Sequence, residues 1–146
     1  VSSAGQLLVA GRIPGEEIAS TEVTADSSTF TTTETTVISV TAPVVAGRTY
    51  RIVFDGHGNS STGTDAITFR IRDTDANGTE RQTDRCNITG STTSGASSHM
   101  ERKITATGTE NRTWVVTGVR VGAGGNCFLE ASGTRPTYLT VYYVSG

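Results

Sequence analysis

Apolar and β-branched side chains recur along this chain with the two-residue period of a strand, and nowhere for long with the period of a helix. The cleanest stretch is Ala66-Ile67-Thr68-Phe69-Arg70-Ile71-Arg72, where Ile67, Phe69 and Ile71 point one way and Thr68, Arg70 and Arg72 the other. Similar runs predict strands over residues 29–33, 35–41, 48–55, 66–73, 80–88, 99–107, 112–121, 127–131 and 137–144. Turn chemistry separates them, as in Ala46-Gly47, Gly108-Thr109-Glu110-Asn111 and Gly133-Thr134-Arg135-Pro136, and Asn77-Gly78 is a strong hairpin dipeptide. Residues 56–64 and 89–98, rich in Gly, Ser and Thr, read as surface loops. Helix signal is confined to residues 14–19, where Pro14 and the two following glutamates suit a single turn. The expectation is an all-β chain, an antiparallel β-sandwich of eight or nine strands that is jelly-roll-like, with an immunoglobulin-like sandwich as competitor.

The last predicted strand has packing surface on both faces. Leu139, Val141 and Tyr143 alternate with Tyr138, Thr140 and Tyr142, and none is charged. A strand with one wet face usually carries charge there, so this one is expected inside a sheet, with its second face covered by another sheet or subunit.

Composition narrows the function classes. The 146 residues suffice for one domain with its own core. A formal charge of -2 and a pI near 5.6 give no electrostatic footprint for nucleic acid or an anionic membrane. No apolar run approaches bilayer length, and residues 1–10 lack the basic start of a signal peptide.

Candidate chemistry is sparse. Asp73, Asp75 and Asn77, with Gly78 following, approximate a calcium-loop pattern, but the closing glutamate is missing and a β-turn explains the same residues. His57, between Asp55 and Asn59, places an imidazole near a carboxylate, yet no nucleophile accompanies it in sequence, and a solvated loop histidine is expected. Cys86 and Cys127 read either as a bridge between neighbouring strands or as two buried thiols. Trp114, in mid-strand, is expected in the core rather than as a sugar platform. Asn59, Asn77, Asn87 and Asn111 head glycosylation acceptor patterns of the kind a Ser/Thr-rich chain produces by chance. No phosphate loop, dinucleotide fingerprint or zinc spacing occurs, so no catalytic residue and no cofactor is assigned.

The opening Ala4-Gly5-Gln6-Leu7-Leu8-Val9-Ala10-Gly11-Arg12-Ile13, the entry Val45-Ala46-Gly47-Arg48-Thr49-Tyr50-Arg51-Ile52 and the terminal Thr140-Val141-Tyr142 together resemble small virion structural proteins of tailed actinobacterial phages. The resemblance implies a non-enzymatic particle component on the head or tail surface, either a capsid decoration protein or a minor tail protein. Its partners would be other virion proteins, with a homotrimer as the assembly and a host-surface glycan as a further partner. Residues 1–17 would form a docking arm and residues 18–146 the sandwich. Assembly is expected to use Leu7, Leu8, Val9 and Ile13 of the arm, because these apolar groups fray in water unless a neighbour buries them, and Tyr138 and Tyr142 of the last strand. A carbohydrate-binding or adhesin module is the alternative, with Trp114 or the loops 56–64 and 89–98 as its surface.

Overall fold

The computed structural model describes residues 12–89, 95–122 and 124–146, and within them the alternation becomes nine strands with no helix. They are β1 (Glu17–Val23), β2 (Thr35–Val44), β3 (Thr49–Ser60), β4 (Asp65–Asp73), β5 (Glu80–Ile88), β6 (Ala96–Thr105), β7 (Glu110–Arg120), β8 (Cys127–Leu129) and β9 (Thr137–Ser145). One sheet has the order β1-β9-β3-β6, with short β8 also paired to β3, and the other has the order β2-β7-β4-β5. Every pairing is antiparallel. Leaving β8 aside, successive strands alternate between two four-stranded sheets except at the β4–β5 hairpin, which is the double Greek key of a jelly roll. An immunoglobulin sandwich would instead keep its first two strands side by side in one sheet, whereas β1 and β2 lie in different sheets.

The inward sets of the two sheets meet in a single core. Ile52, Phe54, Leu139 and Val141 from one sheet and Ile67, Phe69, Ile71 and Val116 from the other are all completely buried. Each such side chain contributes about 1.5–3 kcal/mol relative to exposure. Phe54 and Phe69 meet across the interface with centroids 5.7 Å apart. Trp114 lies in this core at 1 % exposure, as its mid-strand position predicts, and Arg112 covers its ring at 5.6 Å from the centroid. The last strand lies inside its sheet between β1 and β3, with Leu139, Val141 and Tyr143 on the core.

Four sequence expectations need correction. Residues 14–19 form no helical turn: Gly15 has φ 88°, outside the helical region, and its N–H donates to the Tyr143 carbonyl at 2.8 Å, so the chain enters directly as β1. Residues 29–33 form no strand. Only Phe30 pairs there, exchanging both backbone hydrogen bonds with Cys127, and its ring is buried beside Gly118. The expected loop at 56–64 is strand as far as Ser60. Gly56 and Gly58 sit where a Cβ would meet Phe54 at 2.4 Å and Ile67 at 2.9 Å, so they serve close packing rather than a turn. Within the expected loop at 89–98, residues from Ala96 onward already belong to β6.

Candidate functional site

The outer faces of the two sheets differ in kind. On the four-stranded sheet, Glu34 accepts from Arg72 Nε at 2.7 Å and from Thr117 Oγ1 at 2.5 Å, and lies 3.3 Å from Arg70. Glu80 reaches Arg70 at 3.1 Å and Arg72 at 3.6 Å. Burial opposes ionisation of Glu34, but the hydrogen bonds from Arg72 and Thr117 and the charges of Arg72 and Arg70 outweigh it and hold the carboxyl below its ordinary range. On this face Glu34 and Glu80 thus neutralise Arg70 and Arg72, while Arg85 of β5 stays exposed.

The five-stranded sheet presents a different surface, set by strand register. Three rungs of outward side chains cross β1, β9, β3 and β6 in that order. They are Glu22–Tyr138–Asp55–His99, Ser20–Thr140–Val53–Glu101 and Glu17–Tyr142–Arg51–Lys103. The middle rung is built of small groups on its first three strands, with Ser20 and Thr140 hydroxyls 2.8 Å apart, and the outer rungs rise as walls. The result is an open trough of about 490 Å³ across the strands, with Tyr138 and Tyr142 facing over its floor. Arg51 lies over the Tyr142 ring at 4.9 Å and pairs with Glu101 at 3.3 Å. His99 Nδ1 is 2.5 Å from Asp55, and its Nε2 is 3.6 Å from Glu101. The hydrogen bond and charge of Asp55, with Glu101 behind it, raise the His99 pKa above its ordinary value despite partial desolvation.

Tyr138 and Tyr142 thus lie where alternation predicts, on the outward face of β9, with Tyr138 39 % exposed. Of the arm residues, Leu7, Leu8 and Val9 lie outside the described residues, and Ile13 is exposed. Glu17, Glu22, Val53, Asp55, His99 and Lys103 join the tyrosines without any local motif. Only the pairing of β1, β3 and β6 around β9 brings them together.

The other candidates resolve into structural roles. Asp73 is held by the guanidinium groups of Arg81 and Arg112, and Asp75 accepts from the Asn77 N–H at 2.8 Å, closing the Asx turn between β4 and β5. Those guanidiniums already supply Asp73 with the positive charge a cation would bring. His57 is not a solvated loop residue but a member of β3, with its side chain only 12 % exposed. Its Nδ1 lies 3.4 Å from Ser97 Oγ and its Nε2 4.0 Å from Glu130, while Glu130 itself accepts from Asn59 at 2.5 Å and pairs with Arg135. His57 thereby links β3 to β6 through Ser97 and to the segment after β8 through Glu130. Cys86 and Cys127 are free buried thiols, and burial pushes each up to about 11, with nearby Asp65 adding to the effect at Cys127.

Comparison with known proteins adds likenesses of form. No family model matches the chain, and no curated protein does. Among solved structures, the VP2 subviral particle of infectious bursal disease virus aligns at 15 % identity and a TM-score of 0.45, over 90 % of this chain and 38 % of that one. The disulfide-linked pili of Bacillus endospore appendages align at 18 % identity and 0.42, over 92 % of this chain and 96 % of that one. The CBM22-1 xylan-binding domain from Paenibacillus barcinonensis aligns at 11 % identity and 0.40, over 93 % and 99 %. At these identities each is a likeness of fold alone.

Proposed function

We propose that this chain is a non-enzymatic structural component of a tailed-phage particle, displayed on the head or tail surface, with the outer face of the five-stranded sheet as its contact surface. The observation that carries the reading is the contrast between the two outer faces. One is closed by its own Glu34–Arg70–Arg72–Glu80 network, and the other offers tyrosines amid carboxylates. Tyrosine is enriched at the centres of protein contacts, and this face places Tyr138 and Tyr142 on an inner strand. The resemblance of the opening residues and of the entry into β3 to phage virion proteins points the same way. Mass spectrometry of purified particles, with labelling of the displayed chain, tests it: the chain is expected in intact particles and accessible on their surface. Its absence from particles of a phage that encodes it overturns the reading.

A carbohydrate-binding module is the second reading, favoured by the same trough, because tyrosine faces can stack on a sugar while Glu17, Glu22 and Asp55 accept its hydroxyls. Saturable glycan binding lost in Tyr138→Ala and Tyr142→Ala would favour it over a purely architectural role.

A further inference from the structure

We propose that the outer face of the five-stranded sheet is self-complementary, and that a second copy of this chain seats on it about a two-fold axis running along the strands. The inference deepens the assembly reading and rests on it only for the biological setting; its physical basis is the layout of the three rungs.

The layout follows the anatomy of a protein–protein contact. The two inner strands, β9 and β3, carry Tyr138, Thr140, Tyr142 and Val53 together with Arg51 and Asp55, whereas the two edge strands carry Glu17 and Glu22 on one side and His99, Glu101 and Lys103 on the other. Arg51 and Asp55 are engaged within the chain by Glu101 and His99, so the unspent charge lies at the rim, around a centre that holds both tyrosines. Glu17, Glu22 and Lys103 hold no ion pair among the described residues, so the rim has unspent charge of both signs.

Charge then selects the partner and the axis. A two-fold along the strands keeps each rung in place but reverses its strand order, so β1 faces β6 of the second copy and β9 faces its β3. Glu17 then meets Lys103 of the second copy, Glu22 meets its His99, the Tyr142 ring meets its Arg51, and the Tyr138 hydroxyl meets its Asp55. Thr140 and Val53 of the recessed middle rung face one another across the two joined troughs. Each of these pairings occurs twice, as an isologous contact requires. A two-fold across the strands would instead exchange the outer rungs; it would set Arg51 on Asp55, which already have partners within the chain, but also Glu17 on Glu22, His99 on Lys103 and Glu101 on itself, like on like.

The test is self-association of the full chain by sedimentation velocity across concentration and salt. Even-numbered species that dissociate as salt rises are expected. Glu17→Lys and Lys103→Glu should each weaken pairing about tenfold, because every two-fold contact loses two attractive pairs and gains two repulsive ones. The Glu17→Lys/Lys103→Glu double variant should return to within about threefold of the parent. Tyr138→Ala, at an exposed position that leaves the core intact, should weaken pairing more than either single charge change. Unchanged melting curves establish that each variant is folded. A chain that stays monomeric at every concentration, a trimer with no even-numbered species, or a double variant that fails to recover would each overturn the proposal. A monomeric chain that is nonetheless a component of purified particles would overturn this pairing and leave the particle reading standing. Two-fold pairing by a chain absent from particles would do the reverse.

Discussion

Replacing Asp65 by Ala removes the most heavily used buried carboxylate outside the two sheet faces, and the cost can be worked from its partners. Asp65 is 6 % exposed at the start of β4. Its Oδ1 accepts from the Ala66 N–H at 2.9 Å; its Oδ2 accepts from Ser60 Oγ at 3.1 Å, from the Gly125 N–H at 3.2 Å and, weakly, from Cys127 Sγ at 3.6 Å. One side chain thus ties the end of β3, the start of β4, the loop after β7 and the start of β8. In the Ala variant Ser60 can turn toward Thr62, 3.4 Å away, but the Ala66 and Gly125 N–H groups stay orphaned. At about 1–3 kcal/mol for each buried unsatisfied donor, a loss of about 3 kcal/mol is expected. Urea unfolding followed by Trp114 fluorescence should show the midpoint lowered by roughly 1–2 M with the slope unchanged. The effect depends on pH in a defined direction. Burial raises the Asp65 pKa, but the donors from Ala66, Gly125 and Ser60 outweigh it and leave it below the ordinary aspartate value of an unfolded chain. The carboxylate's contribution is therefore full above that unfolded value and fades as pH falls through the lower folded one, so parent and variant draw together in acid. A midpoint shift under about 0.5 M at neutral pH would refute this account of the junction.

Three further outcomes follow from individual residues. Gly78→Ala would place a Cβ 1.6 Å from the Asp73 carbonyl oxygen, so the β4–β5 turn must open, at a cost of about 3 kcal/mol and roughly 10 °C in Tm by calorimetry. The thiols of Cys86 and Cys127, buried and pushed up to about 11, should resist a thiol reagent at pH 8 in the folded chain and react fully in urea; rapid labelling of the native protein would contradict their burial. An NMR titration should place the His99 midpoint above the ordinary 6.5 and Asp55→Asn should lower it. Because the folded value is the raised one, the pair's contribution is present below the unfolded pKa and lost as pH rises through the folded pKa. His99 is 55 % exposed, so the midpoint rather than the melting temperature is the readout.

How far the sequence carries depends on whether a residue's partners are local. Alternation over Ile67, Phe69 and Ile71 and over Leu139, Val141 and Tyr143 is a property of each strand alone, and both runs pack on the core as their period requires. The first strand was illegible because its evidence lies at the far end of the chain. Pro14-Gly15-Glu16-Glu17 is chemically a helix start, and β1 carries a register shift between Glu17 and Ala19 that breaks the two-residue period. Only β9, some 120 residues later at the Ser20–Thr140 contact, makes it a strand. Gly56 and Gly58 mislead in the opposite direction: glycine normally marks a turn, but here it makes room for Phe54 of the same strand and for Ile67 and Phe69 of β4.

The same distinction separates the two outer faces. Arg70 and Arg72 are visible as the polar side of the best-patterned strand, but the residue that closes that face is Glu34, which precedes β2 and has no local feature to mark it. Tyr138 and Tyr142 are visible as the second side of β9, yet nothing near them in sequence says whether they are sealed from within or left for a partner. Register decides it. It brings β1 with Glu17 and Glu22 alongside one edge of β9, and β3 with Val53 and Asp55 alongside the other, and among these Glu17 and Glu22 meet no cation. A sheet face whose tyrosines lie on an inner strand and whose rim keeps unspent charge of both signs is open to a partner, whereas on the other face Glu34 and Glu80 neutralise Arg70 and Arg72. That asymmetry is why assembly, and not the turn at Asp73, is where function should be sought in this chain.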